Sequence, residues 1–435
     1  MNAGRWLGLG SGIGLVVASM VGAGVFLSAG FMAQDLSAGS ILIAWLVGAL
    51  LAMAGARAYA EVSILIPRSG GEYRYLSELY HPALGYLAGW ASLLVGFAAP
   101  TAISAYAAAA FAFAVLGLEG GPVRWLATGL IAALSLLHSL GLQLSKWTQN
   151  GLVLLKGALL LGFVGVGMAF GSQRWPTWGP AGDSAGFAPM PFAMSLFYVA
   201  YAFSGWNAAA YAADEFHEPK RDVPRAMLIG CALVGVLYLL VNWVLVANLS
   251  PEQARVVYQY EEARVTLGHI VAAELLGELG SRAMSAVIAV AMLSSMSAML
   301  LVGPRVYAEM ARDGFLPSAL AATEGKPPSL SVLLQGVLAV SLLQLHSIGE
   351  LLSNVAGVLV LFSTLVALGL FFVKRRRPHL GAPRPQALIA AAVYVSSSAW
   401  MLFNALRSNI GLLPWLAAVA SAGLAAYFLT GTRSP

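Results

Sequence analysis

The chain has 435 residues, of which 59% are hydrophobic and only 10% charged, and its mean hydropathy is +0.78. Soluble domains carry about a quarter charged residues, so a soluble globular class is excluded and a polytopic membrane protein is left. The net charge of +5 reflects contact with anionic lipid and insertion bias and gives no reason to invoke nucleic acid.

Stretches of roughly 20 apolar residues predict twelve spans, at about 8–34, 40–63, 82–115, 124–142, 149–171, 190–215, 226–249, 281–311, 329–346, 349–373, 385–405 and 411–430. The first is too long for a signal-peptide core and eleven more follow it, so it is read as retained. Lysine and arginine fix the orientation. With a cytoplasmic amino terminus, sixteen of them from Arg5 to Arg433 fall inside and six, Arg124, Arg174, Arg255, Arg264, Arg282 and Arg407, fall outside. Both termini are therefore expected in the cytoplasm.

The first span is interrupted at Val21-Gly22-Ala23-Gly24. A break at mid-depth is tolerated only against protein or a cavity, where it frees amides and carbonyls for a ligand. Gly10, Gly12 and Gly14 in the same span are read instead as small residues for close packing. In the second span, Arg57 and Glu61 share one helical face at a spacing that suits an ion pair, and they read as a brace. The third span is lined with small residues (Ala98, Ala99, Thr101, Ala102, Ser104, Ala105) that leave room beside it. Lys156 lies ten residues beyond Lys146, or about 15 Å along a helix, near mid-bilayer. A charge at that depth is functional by default, the bland alternative being a lysine that snorkels to the cytoplasmic face.

The sixth span is broken in turn, at Phe203-Ser204-Gly205-Trp206, and an offset of 182 residues lays Gly22 on Ser204 and the start of the first span on the start of the sixth. Two five-span halves, 8–171 and 190–373, then have opposite orientations because five is odd. That is an inverted repeat, with a site where the halves meet; the last two spans, 385–430, lie outside it. The amides of Ala23 and Gly24 begin a half-helix whose positive end suits a carboxylate. Freed carbonyls near Met20, Tyr201 and Ser204 suit an ammonium. Together they describe a zwitterion receptor made of backbone, with Tyr201, Phe203, Trp206 and Asn207 left to select the side chain.

Past the sixth span, Asp214, Glu215, Lys220, Arg221 and Arg225 read equally as inner-gate ion pairs or as a solvated loop. The single Cys231 lies in an apolar span, so an internal disulfide is impossible. The stretch from Ser250 to Gly280 carries Ala254, Val257, Leu267, Ile270 and Leu275 at helical spacing and is expected to form short helices capping the membrane domain.

Five segments in order resemble one family: Gly22-Ala23-Gly24-Val25-Phe26, Ile66-Pro67-Arg68-Ser69-Gly70-Gly71-Glu72-Tyr73, Tyr201-Ala202-Phe203-Ser204-Gly205-Trp206-Asn207, Glu218-Pro219-Lys220-Arg221-Asp222-Val223-Pro224-Arg225-Ala226 and Ala311-Arg312-Asp313-Gly314-Phe315-Leu316-Pro317. They are similar to signatures of the amino acid, polyamine and organocation (APC) transporter superfamily, in its L-type amino-acid transporter branch, over roughly the first 330 residues. The resemblance implies an all-α membrane fold of twelve transmembrane helices with a LeuT-like five-plus-five inverted repeat and broken helices 1 and 6. It also implies alternating access with amino acids as substrates. Carried over, the substrate-binding residues are Met20, Val21, Gly22, Ala23, Gly24, Tyr201, Ala202, Phe203, Ser204, Gly205 and Asn207. Ala23 and Gly24 hold the carboxylate, and the carbonyls of Met20, Tyr201 and Ser204 hold the amine. Tyr201 is also the aromatic lid, and Asn207 contacts substrate or braces the sixth helix. Many relatives carry serine at the position of Ala23, which removes one hydroxyl donor. In similar transporters a lysine on the fifth span takes the place of a sodium ion between helices one and eight. Here Lys156 would donate to carbonyls near Gly14 to Ala18, with Ser294, Ser295 and Ser297 as possible partners.

The absence of Asp or Glu at mid-membrane in the third, sixth, eighth and tenth spans favours neutral over cationic substrates. The expected activity is sodium-independent exchange of neutral L-amino acids. Proton-coupled uptake is kept open by the buried amine, and a non-translocating sensor is disfavoured because only a few residues follow the last span. An enzyme is not expected: His217 and Asp222 have an acyltransferase-like separation, but no carboxylate pair, cysteine–histidine pair or metal spacing accompanies them. No cofactor or metal is expected. The loop from Leu116 to Pro122 has no cysteine for a disulfide-linked partner subunit, which points to a stand-alone protein of a bacterial inner membrane with a small amino-acid substrate and the lipid bilayer as its partners.

Overall fold

The computed structural model describes residues 7–33, 35–118, 121–172, 174–177, 189–250, 252–254, 267–323, 326–345, 348–408 and 412–430. Within them every regular element is helical, apart from one bridge that pairs Leu7 with Phe216. The helices are α1 (Leu9–Met20), α2 (Ala23–Met32), α3 (Ala38–Leu65), α4 (Glu72–Leu79), α5 (Pro82–Leu116), α6 (Val123–Leu140), α7 (Leu142–Phe170), α8 (Pro189–Ala202), α9 (Ala208–Tyr211), α10 (Pro219–Ala247), α11 (Leu267–Arg312), α12 (Ser329–Leu345), α13 (Ile348–Gly369), α14 (Pro385–Ser408) and α15 (Leu412–Thr430). In lipid a helix keeps every backbone group paired within itself, so these apolar stretches have little other choice. Their ends carry local stop signals. The Ser37 hydroxyl accepts from the Ser40 amide at the start of α3, Pro82 sits in the first turn of α5, and Gly117 ends α5 with φ of 67°.

Among the described residues, eight helices are long and apolar enough to cross a membrane, or nine with α1 and α2, which meet at a bend of 49°, taken as one broken span. The remaining expected spans fall short for identifiable reasons. The apolar run at 190–215 is cut into α8 and α9, α12 is only 17 residues long, and α15 follows residues outside the described set.

The most extensive helix packing joins α3 to α10 and α5 to α11, and α6 packs on α12. Small residues allow these approaches. A β-carbon on Gly303 of α11 would lie 2.7 Å from the Phe97 ring of α5, and one on Gly336 of α12 would lie 2.5 Å from the Ser135 hydroxyl of α6. Of Gly10, Gly12 and Gly14, only Gly12 has that role, since a β-carbon there would lie 2.5 Å from the Phe216 ring while one on Gly10 would meet nothing within 4 Å.

Two helices are less regular than their apolar pattern predicts. Residues Ser92–Ala98 of α5 form a π-helical turn. Pro100 lies two residues beyond its end, and a proline lacks the amide that would close the regular turn and crowds the carbonyl four residues before it, that of Gly96 within the π turn. In α11, Gly277 departs from helical geometry at φ 64°, so a short helix precedes the long one. That agrees with the expected capping helix over Leu267, Ile270 and Leu275, whereas Val257 of the same stretch lies outside the described residues.

Candidate functional site

The two broken helices touch. A β-carbon placed on Gly24, at the start of α2, would lie within 2.6 Å of the Ala202 β-carbon at the end of α8, and one on Gly205 would lie 2.8 Å from the Ser19 carbonyl. Gly205 also has φ of 102°, a conformation that side chains with a β-carbon rarely adopt. Only glycine therefore lets each break approach the other.

Gly22 precedes α2 in an extended conformation, and no side chain caps the amides that follow it. The first turn of α2, beginning at Ala23 and Gly24, therefore points unpaired donors and the positive end of a helix dipole at the break. The second break is a run of turns over residues 203–207, between α8 and α9.

A cavity of about 110 Å³ lies between the breaks. Met20, Gly22, Gly24 and every residue from Tyr201 to Asn207 line it, as do Ser92, Gly96, Phe97, Pro100 and Ser104 of α5. The lining of α5 thus includes the π turn and begins earlier than the stretch Ala98–Ala105 read from the sequence.

The carbonyls of the breaks are already partly engaged. The Tyr238 hydroxyl of α10 lies 2.7 Å from the Met20 oxygen and 3.0 Å from the Ala202 oxygen, bridging both breaks. The Tyr201 carbonyl accepts from the Ser204 amide at 2.9 Å. A carbonyl has two lone pairs, so one on each remains for a ligand. Phe203 packs between Trp45 and Tyr238, with ring centroids 6.1 and 5.0 Å away. Trp206 stands edge-on to Tyr59 at 4.6 Å and to Tyr394 at 6.0 Å.

Lys156 is 1% exposed, and its ammonium donates to the Ala18 oxygen at 3.1 Å and the Val21 oxygen at 2.7 Å. Its partners are thus backbone at the first break, and no carboxylate is paired with it among the described residues. None of the serines considered as its partners touches it. Ser297 is bonded to His138 Nε2 at 2.8 Å, Ser294 Oγ is buried without a partner, and Ser295 Oγ faces Gly22.

Three groups escaped the sequence reading, Ser19 and Glu72 in the cavity lining and Tyr238 behind the breaks. Ser19 presents a buried hydroxyl without a partner; it looked like ordinary helix filler. Tyr238 looked like one more aromatic in an apolar span. Glu72, expected in a loop outside the membrane, lines the cavity at 6% exposure. It accepts bonds from the Tyr59 hydroxyl at 3.0 Å, from the Asn207 amide and from the Tyr211 hydroxyl. Asn207 therefore braces the second break against α4. Burial raises the Glu72 carboxyl above its ordinary range, although its three donors favour the ionised form.

One end of the bundle is tied by polar contacts. Arg305 pairs with Glu215 at 2.5 Å, Arg74 with Asp313 at 2.9 Å and with Glu309 at 3.4 Å, and the Ser69 amide donates to Asp214 at 3.1 Å. Leu7 exchanges backbone bonds with Glu215 and His217. Of the acidic and basic cluster past the sixth span, Asp214 and Glu215 thus join the gate-like ties, while the Arg221–Glu218 pair lies on the surface. Arg57 and Glu61 form the expected brace at 3.1 Å, extended by the Arg384 amide, which donates to Glu61 at 2.9 Å. Cys231 is buried and unbridged.

A family model described as amino acid permease matches residues 7–428. Similar proteins include the b(0,+)-type amino acid transporter 1 of Mus musculus, 26% identical over 416 residues that cover 93% of this chain and 83% of that protein. The Asc-type amino acid transporter 1 of Mus musculus is also 26% identical, over 91% of this chain and 75% of its own. The large neutral amino acids transporter small subunit 2 of Homo sapiens is 26% identical over 97% and 80%.

Proposed function

The chain belongs to the amino acid permease family, and from that premise we propose that it exchanges neutral L-amino acids across a membrane by alternating access, without sodium. The observation that carries this reading is the contact of two broken helices around a cavity lined by backbone. The uncapped amides at Ala23 and Gly24 receive the substrate carboxylate. The second lone pairs on the carbonyls of Met20 and Tyr201, with the carbonyl of Ser204, receive its ammonium. Gly22, Ala202, Phe203 and Gly205 shape the cradle, Val21 stands behind it with its carbonyl on Lys156, Tyr201 closes over it, and Asn207 stands at its edge. The free hydroxyl of Ser19 adds a donor near the first break.

Lys156 ties the first break from behind, where its ammonium does what a bound sodium ion would do. Ser295, facing Gly22, and Ser294 and Ser297 on the same helix complete the surface against which the first break moves. The packing of α3 on α10, α5 on α11 and α6 on α12 supports an inverted repeat of 8–171 on 190–373, because each pair joins equal ranks of the two halves. With α8 and α9 counted as one broken span, and α12 and α15 as spans, the total is twelve, and 385–430 stands outside the repeat.

The excess of basic residues on one side supports cytoplasmic termini, in the inner membrane of a bacterium. One of the relatives is named as a small subunit; here the only cysteine is buried, so we read this protein as working without a disulfide-linked partner. It has no catalytic role in this account.

A second reading, uptake coupled to protons, is favoured by one specific observation. A buried carboxylate, Glu72, lines the cavity, and among the described residues no basic side chain is bonded to it. Reconstitution into vesicles separates the two. Uptake of labelled amino acid that needs unlabelled amino acid inside supports exchange, and uptake driven by a pH gradient alone supports proton coupling. Binding without flux would leave a sensor.

A further inference from the structure

Glu72 is the first residue of α4, and its side chain reaches across to three donors on two other parts of the protein. Tyr59 belongs to α3, while Asn207 and Tyr211 flank the second break and the short helix α9. Asn207 also donates to the Tyr211 hydroxyl at 3.2 Å. One carboxylate thus holds α9 and the end of the break against α3 and α4.

The charges nearby are engaged elsewhere. Arg74, on the same helix, turns to Glu309 and Asp313 of the α11 end. Glu61 of α3 is held by Arg57 and the Arg384 amide, and Asp214 beyond α9 by Ser69. The groups that face Glu72 are therefore phenols and an amide: Tyr59 on α3, Tyr211 and Asn207 beside the break, Tyr75 on α4, and Tyr394 on α14, whose hydroxyl is 2.8 Å from Ser363 of α13. A buried carboxylate surrounded only by neutral donors can take up a proton without breaking an ion pair.

We propose that Glu72 is a proton-binding site whose occupancy sets how firmly the second break is held. Ionised, its Oε1 accepts from Tyr59 and Asn207 and its Oε2 from Tyr211. A proton arriving from water on Oε2 turns that oxygen into a donor, so the Tyr211 hydroxyl must rotate to accept. The bonds to Oε1 then lose their charge assistance, which makes them roughly half as strong. The new O–H on Glu72 is the one covalent bond formed, and the Tyr211 hydroxyl gives up its own donation to Oε2. Acidification therefore loosens α9 from α4 and frees the Asn207 amide toward the cavity. This inference rests on the transport reading above and makes the rate proton-sensitive even where exchange is obligatory.

The test is the pH dependence of counterflow in proteoliposomes, with each variant normalised to its own maximum, beside the infrared carbonyl band of a buried carboxylic acid in purified protein. Wild type is expected to speed up several-fold as pH falls through one midpoint, and to gain a carbonyl band over the same range. Glu72→Gln is expected to lose both the midpoint and the band. Tyr211→Phe removes one donor to the ionised form, so its midpoint is expected at higher pH, a shift that a merely structural role would not produce. Wild-type flux with no pH dependence, an unaltered midpoint in Glu72→Gln, or an unshifted one in Tyr211→Phe overturns the inference and leaves transport standing. A band that persists in Glu72→Gln also overturns it. Should Glu72→Gln fail to fold, Tyr211→Phe and the wild-type band decide. Absence of any wild-type flux overturns the transport reading and this inference together.

Discussion

Gly24 and Ala202 are packed so closely that a β-carbon on the glycine would lie 2.6 Å from that of the alanine. The start of α2 and the end of α8 therefore form one contact surface, and the cavity exists because nothing larger stands between them. Substituting Gly24 by valine forces the breaks apart, and overpacking of this kind costs about 1–3 kcal/mol. Uptake of every substrate should be lost, because the disturbed element is the backbone common to all of them. Gly10→Ala, with open space around its β-carbon, should transport like wild type. Uptake and thermal melting of the two variants side by side check this.

Tyr238 joins both breaks through one hydroxyl. Tyr238→Phe keeps the ring packing against Trp45 and Phe203 but leaves the Met20 and Ala202 carbonyls without that donor. Unmaking a buried bond costs about 1–3 kcal/mol, so the exchange rate should fall roughly tenfold. An unchanged rate at saturating substrate would show that the bridge has no part in the cycle.

Lys156→Ala removes the two bonds that tie the Ala18 and Val21 carbonyls. Translocation should fall by about tenfold or more and binding by much less, since the lost interaction is with moving backbone and not with substrate. Comparing counterflow with detergent binding separates the two effects. Equal flux in mutant and wild type across pH contradicts the assigned role.

Arg305 and Glu215 pair at the tied end of the bundle, with side chains 8% and 22% exposed. Arg305→Gln should loosen that end by about 1–3 kcal/mol, less than a fully buried pair because water screens Glu215. Cys231 is the only cysteine, so Ser204→Cys in a Cys231→Ala background reports access to the cavity. A thiol reagent applied from the Arg305 side should label it faster once the pair is broken.

The pH dependence of stability has a defined sign at Glu72. Burial raises its carboxyl above the ordinary 4.5, so the folded protein holds the proton more tightly than the unfolded chain. Stability from this group is fully present below 4.5 and is lost as pH rises through the folded value. Glu72→Gln lacks that slope, and its melting temperature relative to wild type should therefore rise with pH. A constant difference would contradict it.

Both breaks were legible in the sequence because glycine interrupts an apolar run in a way that hydropathy and spacing expose. Lys156 was legible because a charge stands out in such a run. Glu72 was not, because a linear reading assigns residues between spans to a loop, and only the fold turns α4 inward beneath Asn207. That also weakens the inference drawn from missing mid-membrane carboxylates: one reaches the cavity from outside the spans. Tyr238 and Ser19 carry no local signal, since an aromatic and a serine are common in membrane helices. The π turn needed a specific cause, Pro100, that a hydropathy window averages away. The span count was limited in the same way, because α8 and α12 are short helices inside longer apolar stretches.

The central claim is that peptide groups at two touching breaks recognise the part shared by all amino acids. Uptake of a panel of labelled neutral L-amino acids into vesicles, with and without unlabelled amino acid inside, tests it most directly when wild type is compared with Gly24→Val. The account predicts uptake accelerated by internal amino acid in wild type, and loss across the whole panel in a variant that still purifies as a folded monodisperse protein. Selective loss of some substrates, or normal uptake in that variant, would contradict it.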